Sequence, residues 1–267
     1  MKEQPIGIFD SGFGGISVLR EAMRVLPKEN FVYFSDNGNA PYGVRMEEDI
    51  RMLTLCATQK LEDLGAKAIV IACNTAFAAS AEALKAARSV PVMGVEPAIL
   101  KAAETEGNGV VLMMATEATT RLPRYRALRG KLADPKRVID IPCPGDVVRR
   151  VEAGRFAPDD YDDLLESVLK GYHGARVDAV VLGCTHYPFI QTQIAAYMQR
   201  HFTGMPKFFD GAHTVVAELC GVLQANAWEN DAGENRVDFH TSGNASALKQ
   251  IFDELLSVPL PIRGGLQ

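Results

Sequence analysis

The sequence has no hydrophobic run long enough to span a bilayer and no surplus of basic residues. Its 28 Lys and Arg are outnumbered by 33 Asp and Glu, which gives a net charge of -5. Nucleic acid is therefore not expected as a partner, because counterion release needs a basic face. The residues up to Pro5 lack the pattern of a signal peptide, so we expect a cytoplasmic protein that does not bind membranes. The one basic cluster is interpreted as a solvated face balanced by acids: Arg121, Arg124, Arg126 and Arg129.

Cysteine is scarce and is not arranged for disulfides or for zinc. The five cysteines are odd in number, widely spaced and without a CxxC pair, which argues against a disulfide framework and a zinc knuckle. We expect free thiols in a reducing compartment. The histidines at positions 173, 186, 201, 213 and 240 do not fall at metal-ligand spacing with acids or thiols, so no metal is expected.

Familiar nucleotide and hydrolase motifs are also missing. The chain contains no GxxxxGK[ST] loop and no GxSxG elbow. Gly12-Phe13-Gly14-Gly15 follows a predicted strand, but Ser17 occupies the third glycine position of a dinucleotide loop. Asp10 would also place a carboxylate where the pyrophosphate approaches. We therefore expect no cofactor.

What the chain does contain is an alternation of short β-branched apolar runs with longer amphipathic stretches. This alternation predicts an α/β protein with mostly parallel sheets flanked by helices, and 267 residues suffice for two modest domains or one large one. A helix is predicted from Glu47 to Leu64, with Gly65 as its stop. The predicted strands are Ile6 to Phe9, Phe31 to Ser35, Ala68 to Ala72, Val90 to Val95, Gly109 to Met114, Val138 to Ile141, Ala179 to Gly183, Lys207 to Phe209 and Val237 to Thr241.

One pattern occurs twice. Residues 68–75 and 179–186 each run from a small residue through three branched apolar residues and a small residue to a cysteine followed by polar side chains. The repeat predicts two pseudo-symmetric α/β lobes that face each other, with the active site at their interface. We expect the first lobe to comprise residues 1–97 and 210–267, and the second lobe residues 98–209.

The two repeated cysteines, Cys73 and Cys184, carry the predicted chemistry. Ligands bind beyond the carboxyl ends of parallel strands, and both cysteines lie there. A thiol that opens a helix feels the positive end of the helix dipole, which favours the thiolate. Two such thiols on opposite sides of one carbon can remove a proton from one face and deliver a proton to the other. That reaction is racemisation without a cofactor.

The neighbouring polar residues suit a zwitterionic amino acid, whose carboxylates need donors and whose ammonium needs an acceptor. Asp10 is predicted to bind the ammonium or to help hold the proton of Cys73. His186 is predicted to play the corresponding role beside Cys184. Asp10 can also be a helix N-cap, a role that does not exclude catalysis. Taken alone, His186 is better explained as a buried histidine that is hydrogen-bonded to the backbone. The predicted donors are Ser11, Tyr42, Gly43, Asn74, Thr75 and Thr185. The other cysteines, Cys56, Cys143 and Cys220, are interpreted as packing residues.

At these residues the sequence resembles the glutamate racemases of the aspartate/glutamate racemase superfamily. The resemblance spans almost the whole chain in one order. The matching blocks are GIFDSGFGGISVLR (7–20), YFSDNGNAPYG (33–43), IVIACNTA (69–76), GVEP (94–97), ATEATT (115–120), VLGCTHYPF (181–189) and FHTSG (239–243).

The resemblance implies two α/β lobes, with the first lobe completed by the C-terminal segment. It implies interconversion of L- and D-glutamate without pyridoxal phosphate or metal, which supplies D-glutamate for peptidoglycan, and hence for cell-wall biogenesis and cell shape. By position, Cys73 acts on D-glutamate and Cys184 on L-glutamate, while Thr119 and Glu152 match less sharply bounded substrate sites. The expected partner is glutamate, and the expected assembly is a homodimer.

The sequence departs from the family pattern in two places. Leu122 stands where a Ser is expected, although Tyr125 remains, and the stretch from Val147 to Arg150 is more basic than expected. Both departures concern the second lobe's contacts and not the thiol chemistry.

Three other functions remain open from the residues. The nearest is a racemase for aspartate or another acidic amino acid, which differs in pocket depth. A binding module that closes on an acidic ligand with bystander thiols is the second. A thiol redox protein is the third, and it is disfavoured because neither Cys73 nor Cys184 has an adjacent resolving cysteine.

Overall fold

The structure is a computed structural model that describes residues 1–261. Residues 262–267, which the first lobe was predicted to include, lie outside the described residues. Within the described chain, no helix combines the length and the apolar character that crossing a membrane requires.

The first sheet has five parallel strands in the order β4-β3-β1-β2-β9. Its central strands β1 to β3 are buried along their full length, which explains their continuous apolar runs. The strands are β1 (Ile6–Asp10), β2 (Phe31–Ser35), β3 (Ala68–Ile71), β4 (Val92–Gly94) and β9 (Val237–Thr241). The last strand, β9, pairs with β2, so the chain returns to its first sheet after building the second.

The second sheet has four parallel strands in the order β6-β5-β7-β8. The strands are β5 (Val110–Thr116), β6 (Val138–Cys143), β7 (Val177–Leu182) and β8 (Lys207–Phe209). Each of the predicted strands is confirmed, and their ends differ from the predicted ones by no more than two residues.

Helices cover both sheets. They are α1 (Ile16–Val25), α2 (Glu47–Asp63), α3 (Asn74–Ala87), α4 (Ile99–Ala103), α5 (Glu117–Arg121), α6 (Pro123–Arg129), α7 (Asp146–Glu152), α8 (Asp162–Leu169), α9 (Gln191–His201), α10 (Ala212–Ala225) and α11 (Ala245–Ser257). Short 3₁₀ turns occupy Tyr42–Val44, Pro135–Arg137, Lys170–Tyr172 and Tyr187–Ile190. Gly65, the predicted stop of α2, has a positive φ of 82°, a conformation that favours glycine after a helix.

The carboxyl ends of the two sheets meet. The Thr185 hydroxyl, just after β7, donates to Asp10 at the end of β1 across 3.2 Å. The Ser17 hydroxyl of α1 donates to the Thr185 carbonyl across 3.0 Å. Because polar side chains follow the strands at these ends, the fold gathers them in the seam between the sheets.

Candidate active site

Cys73 follows β3 and is the N-cap residue of α3. Its sulfur accepts a hydrogen bond from the Ala76 amide at 3.4 Å and lies 3.4 Å from the Ser11 hydroxyl. Burial raises the pKa of Cys73 to about 12, and the nearby Asp10 carboxylate adds to the rise. The expected thiolate preference is therefore wrong for this residue, because desolvation and a like charge outweigh the helix N-terminus.

Cys184 occupies the matching position after β7, and only 8% of its surface is exposed. The element after it differs from the one after Cys73, because Cys184 precedes the 3₁₀ turn Tyr187–Ile190 and not an α-helix. Its sulfur lies 3.7 Å from Nδ1 of His186. The two thiols thus have different hydrogen-bonding partners: backbone and hydroxyl for one, imidazole for the other.

His186 connects Cys184 to Glu152. Its Nε2 lies 2.9 Å from Glu152 Oε1, which also accepts the Phe13 amide at 3.0 Å. Burial alone would lower the pKa of His186, but hydrogen bonds to Cys184 and Glu152 raise it well above its ordinary value. Burial opposes ionisation of Glu152 as well, yet His186 holds the pKa of that carboxyl below its usual range. Each partner therefore stabilises the charged form of the other.

Asp10 is fully buried and joins the two sheets. Its carboxylate accepts the Gly12 amide at 2.8 Å in addition to the Thr185 hydroxyl. Burial raises the pKa of Asp10, although His186 acts in the opposite direction. Asp10 does not cap α1, whose N-cap residue is Gly15, so the capping interpretation is wrong.

The glycine-rich loop after β1 lets residues of the second sheet come close to the backbone of the first. A Cβ on Gly12 would lie 2.5 Å from Glu152 Oε1, and one on Gly14 would lie 2.4 Å from Nδ1 of His186. Both contacts are too close for a real side chain. The glycines that resemble a dinucleotide loop therefore serve the close approach of the second sheet's residues.

Three threonine hydroxyls form a triangle at the seam. Thr75 lies 3.0 Å from Thr116 and 2.9 Å from Thr119, and these two are 2.9 Å apart. A Cβ added to Gly43 would lie 3.2 Å from Cβ of Thr116, so the loop after β2 packs against these threonines. Thr116 was not among the predicted site residues, although its place at the end of β5 was the available signal.

Two further polar groups line the seam. The Tyr42 hydroxyl donates to Asp36 at 2.6 Å, so Asp36 holds Tyr42 and was missed as a site residue. Its position after β2 is the signal that could have found it. Asn74 Oδ1 is buried and has no hydrogen-bond partner among the described residues. An orphaned buried acceptor indicates a place for a donor from a ligand.

The remaining cysteines and arginines are peripheral to this seam. Cys56 is exposed on α2, so its interpretation as a packing residue is wrong. Cys143 is buried, and Cys220 is half-buried against the core, as expected. The basic cluster is balanced by acids at three positions, with ion pairs Arg121–Glu117, Arg124–Glu96 and Arg129–Asp140.

Comparison with known proteins agrees with this architecture. The family model described as Asp/Glu/Hydantoin racemase matches residues 16–219. A glutamate racemase of Clostridium perfringens is 36% identical over 260 residues, which is 97% of this chain and 98% of the relative. One from Clostridium acetobutylicum is 41% identical over 197 residues, 73% of this chain and 77% of the relative.

Solved structures match over nearly the full length. The glutamate racemase of Thermus thermophilus in complex with beta-chloro-D-alanine has a TM-score of 0.80 at 33% identity and covers 99% of this chain and 98% of its own. That of Francisella tularensis in complex with D-glutamate has a TM-score of 0.81 at 27% identity, covering 96% and 94%. The protein is therefore an isomerase of the amino-acid racemase class. It belongs to the Asp/Glu/hydantoin racemase family.

Proposed function

We propose that the protein is a cofactor-independent glutamate racemase that uses Cys73 and Cys184 as its two bases and supplies D-glutamate for peptidoglycan. The substrate is inferred from the relatives, which are named glutamate racemases. Their solved structures include one bound to D-glutamate and, from Escherichia coli, one bound to L-glutamate.

One observation carries the mechanism. Cys73 and Cys184 end equivalent strands of the two sheets, both are nearly buried, and a charge on Cys184 raises the pKa of Cys73. Two thiols close enough to feel each other's charge, approached from opposite sheets, suit proton transfer at one substrate carbon.

The proton transfer balances without another reactant. With a pKa of about 12, Cys73 carries its proton at neutral pH and is the proton donor of the pair. Cys184 then removes the proton from Cα of L-glutamate, and the electrons of that C–H bond spread into the α-carboxylate. Cys73 delivers its proton to the opposite face, which gives D-glutamate. The sulfurs have then exchanged protonation states, and the reverse reaction starts from that state.

The uncharged polar residues are assigned to binding the substrate. We assign the substrate ammonium to Asn74 Oδ1, because that buried acceptor has no partner among the described residues. We assign a substrate carboxylate to the hydroxyls of Thr75, Thr116 and Thr119, which can turn from each other to the ligand. Further contacts are proposed for Ser11, Tyr42, Gly43 and Thr185.

The charged residues act on the thiols. Asp10, whose pKa is raised by burial, adjusts the protonation of Cys73. Charged His186, 3.7 Å from the sulfur, stabilises the thiolate form of Cys184 that removes the substrate proton. Glu152 lies behind the imidazole, on Nε2, so we propose that it positions His186 and keeps it charged.

The decisive experiment incubates L-glutamate in deuterated water with pure protein from which metal has been removed by a chelator. Loss of optical rotation together with deuterium at Cα is expected. Glutamate binding without exchange would favour the binding module instead. L-aspartate in parallel tests the acidic-racemase alternative, which predicts comparable turnover of both substrates.

Single replacements test the two-base assignment. Cys73→Ala and Cys184→Ala should each lower kcat by at least about 10²- to 10⁴-fold, the usual contribution of acid–base groups. Cys56→Ala, at an exposed position outside the seam, should keep full activity. Circular dichroism checks the fold, and full activity in either seam variant contradicts the mechanism.

The lobe boundaries near residues 97 and 209, the cytoplasmic location and the homodimer stay predictions. Sedimentation equilibrium measures the last of these directly, with a mass of twice 29.0 kDa expected.

A further inference from the structure

A second group of chemically active side chains lies outside the thiol seam, on the surface of the second sheet's helices. Glu166 lies on α8, His173 follows the 3₁₀ turn Lys170–Tyr172, and His201 ends α9. One potential ligand atom from each lies within 4.8 Å of the others. The sequence spacing missed this group because 28 residues separate the two histidines, and only the fold brings them together.

The spacing inside this group fits a small dication. Nε2 of His173 lies 3.5 Å from Oε2 of Glu166. Two ligands at the usual zinc distances of about 2.0–2.2 Å and a tetrahedral angle are about 3.4 Å apart. The ring of His201 stacks on that of His173 with 4.5 Å between centroids, so a rotation of these partly exposed side chains would be needed to bring in a third ligand.

A buried tyrosine holds the group in place. The hydroxyl of Tyr197, a residue only 1% exposed, donates to Glu166 Oε2 at 2.5 Å and also lies 2.9 Å from His173 Nε2. Because that nitrogen has a single lone pair, a metal would replace Tyr197 as its partner, while the hydroxyl would keep its bond to Glu166. The neighbouring Arg200 is occupied by Asp162, which reduces its repulsion of a cation.

We propose that Glu166, His173 and His201 form a surface site for a divalent transition metal of the zinc type. Two imidazoles and one carboxylate suit zinc, nickel or copper better than magnesium or calcium. A bound ion would tie the ends of α8 and α9 to the turn that leads into β7, the strand that ends before Cys184. The site is independent of the proposed racemase chemistry and needs no active enzyme to be detected.

The test titrates zinc chloride calorimetrically into the Cys73→Ser/Cys184→Ser protein. The seam thiols are removed because, with His186, they would bind zinc themselves. One zinc ion per chain is expected. Adding His173→Ala or His201→Ala should weaken binding by more than about 10- to 100-fold, the loss seen when only an outer partner of a metal ligand is removed.

His213→Ala provides the matched control, because His213 is another exposed histidine beside a carboxylate, 3.3 Å from Glu21. It should bind zinc as tightly as the parent. Should His173→Ala fail to fold without zinc, Glu166→Gln replaces it as the ligand variant, since the amide still accepts from Tyr197. No saturable zinc binding, or binding unchanged by His201→Ala, overturns the proposal.

Discussion

At the scale of single residues, the missing side chain of Gly14 is what lets His186 and Thr185 close on the first sheet. A Cβ there would lie 2.4 Å from His186 Nδ1 and 2.5 Å from the Thr185 hydroxyl. Gly14→Ala should therefore push the imidazole away from Cys184. We expect kcat/KM to fall by about 10²-fold, the effect of a misplacement near 1 Å, and stability to fall by about 1–3 kcal/mol.

Gly145→Ala is the control for this substitution. A Cβ on Gly145 meets no atom within 4 Å, and the residue already has α-helical φ and ψ. Its activity should match the parent, and its stability should change by less than about 0.5 kcal/mol. Equal kinetics in the two variants would show that the loop after β1 does not set the position of His186.

The ion pair of His186 and Glu152 gives the fold a defined pH dependence. The pKa of His186 is raised in the folded state, so its contribution to stability is complete below its unfolded value, near pH 6.5. That contribution is lost as the pH rises toward the folded pKa. Urea unfolding from pH 6 to 9 should therefore show a decline in stability that is smaller in His186→Asn. An equal decline in both proteins would contradict the assignment.

At the scale of secondary-structure elements, Arg124 of α6 contacts α3 and the segment that follows β4. Its guanidinium lies 4.6 Å from the centre of the Phe77 ring, 2.7 Å from Glu96 and 3.3 Å from Glu82. Phe77 belongs to α3, the helix that Cys73 caps. The contact therefore links the position of the second sheet's helices to the helix that carries one thiol.

Arg124→Ala should lower the free energy of unfolding by about 1–2 kcal/mol, from one cation–π contact and two partly exposed ion pairs. Arg121→Ala, which breaks only an exposed pair with Glu117 inside the same segment, should cost about 0.3–0.5 kcal/mol. Urea denaturation of both variants measures the difference. Indistinguishable midpoints would mean that Arg124 does not hold the halves together.

The elements were predictable from the sequence to a greater extent than the site. Buried parallel strands are visible in the sequence as runs such as Ala68–Ile71, because both faces must be apolar. The repeat also indicated which strand ends carry thiols. The protonation state of the Cys73 thiol was not predictable, since its pKa depends on burial and on Asp10 from another strand. The end of β5 marked Thr116 as a polar residue at a strand end, but its hydrogen bonds to Thr75 and Thr119 depend on how the two sheets meet.

At the scale of the whole molecule, a buried ion pair fastens the C-terminal segment to the first sheet. The ammonium of Lys67 donates to Glu29 at 2.6 Å, to the Lys2 carbonyl at 2.7 Å and to the Trp228 carbonyl at 2.8 Å. Lys67 and Glu29 are 0% and 2% exposed. Three distant parts of the chain thus meet at one nitrogen, close to where α10 gives way to the approach to β9.

Lys67→Met should destabilise the protein by about 3–5 kcal/mol, because it leaves the Glu29 carboxylate buried without its cation. Lys67→Met/Glu29→Leu should recover part of this loss, since the second change removes the unpaired charge. Arg236→Ala, at an exposed pair with Asp238, is the control and should stay within about 1 kcal/mol. A loss below about 1 kcal/mol in Lys67→Met would contradict this role of the ion pair, as judged by guanidinium unfolding.

The hydrogen bonds that cross between the sheets also constrain how the protein can work over time. Phe13 holds Glu152, and Asp10 holds Thr185, only while the halves are together. A ligand that enters by separating them would break both of these hydrogen bonds, while His186 and Glu152 would stay paired with each other. The two bonds would then have to form again before each turnover, so their strength would affect both the entry of a ligand and the rate at which the site is rebuilt.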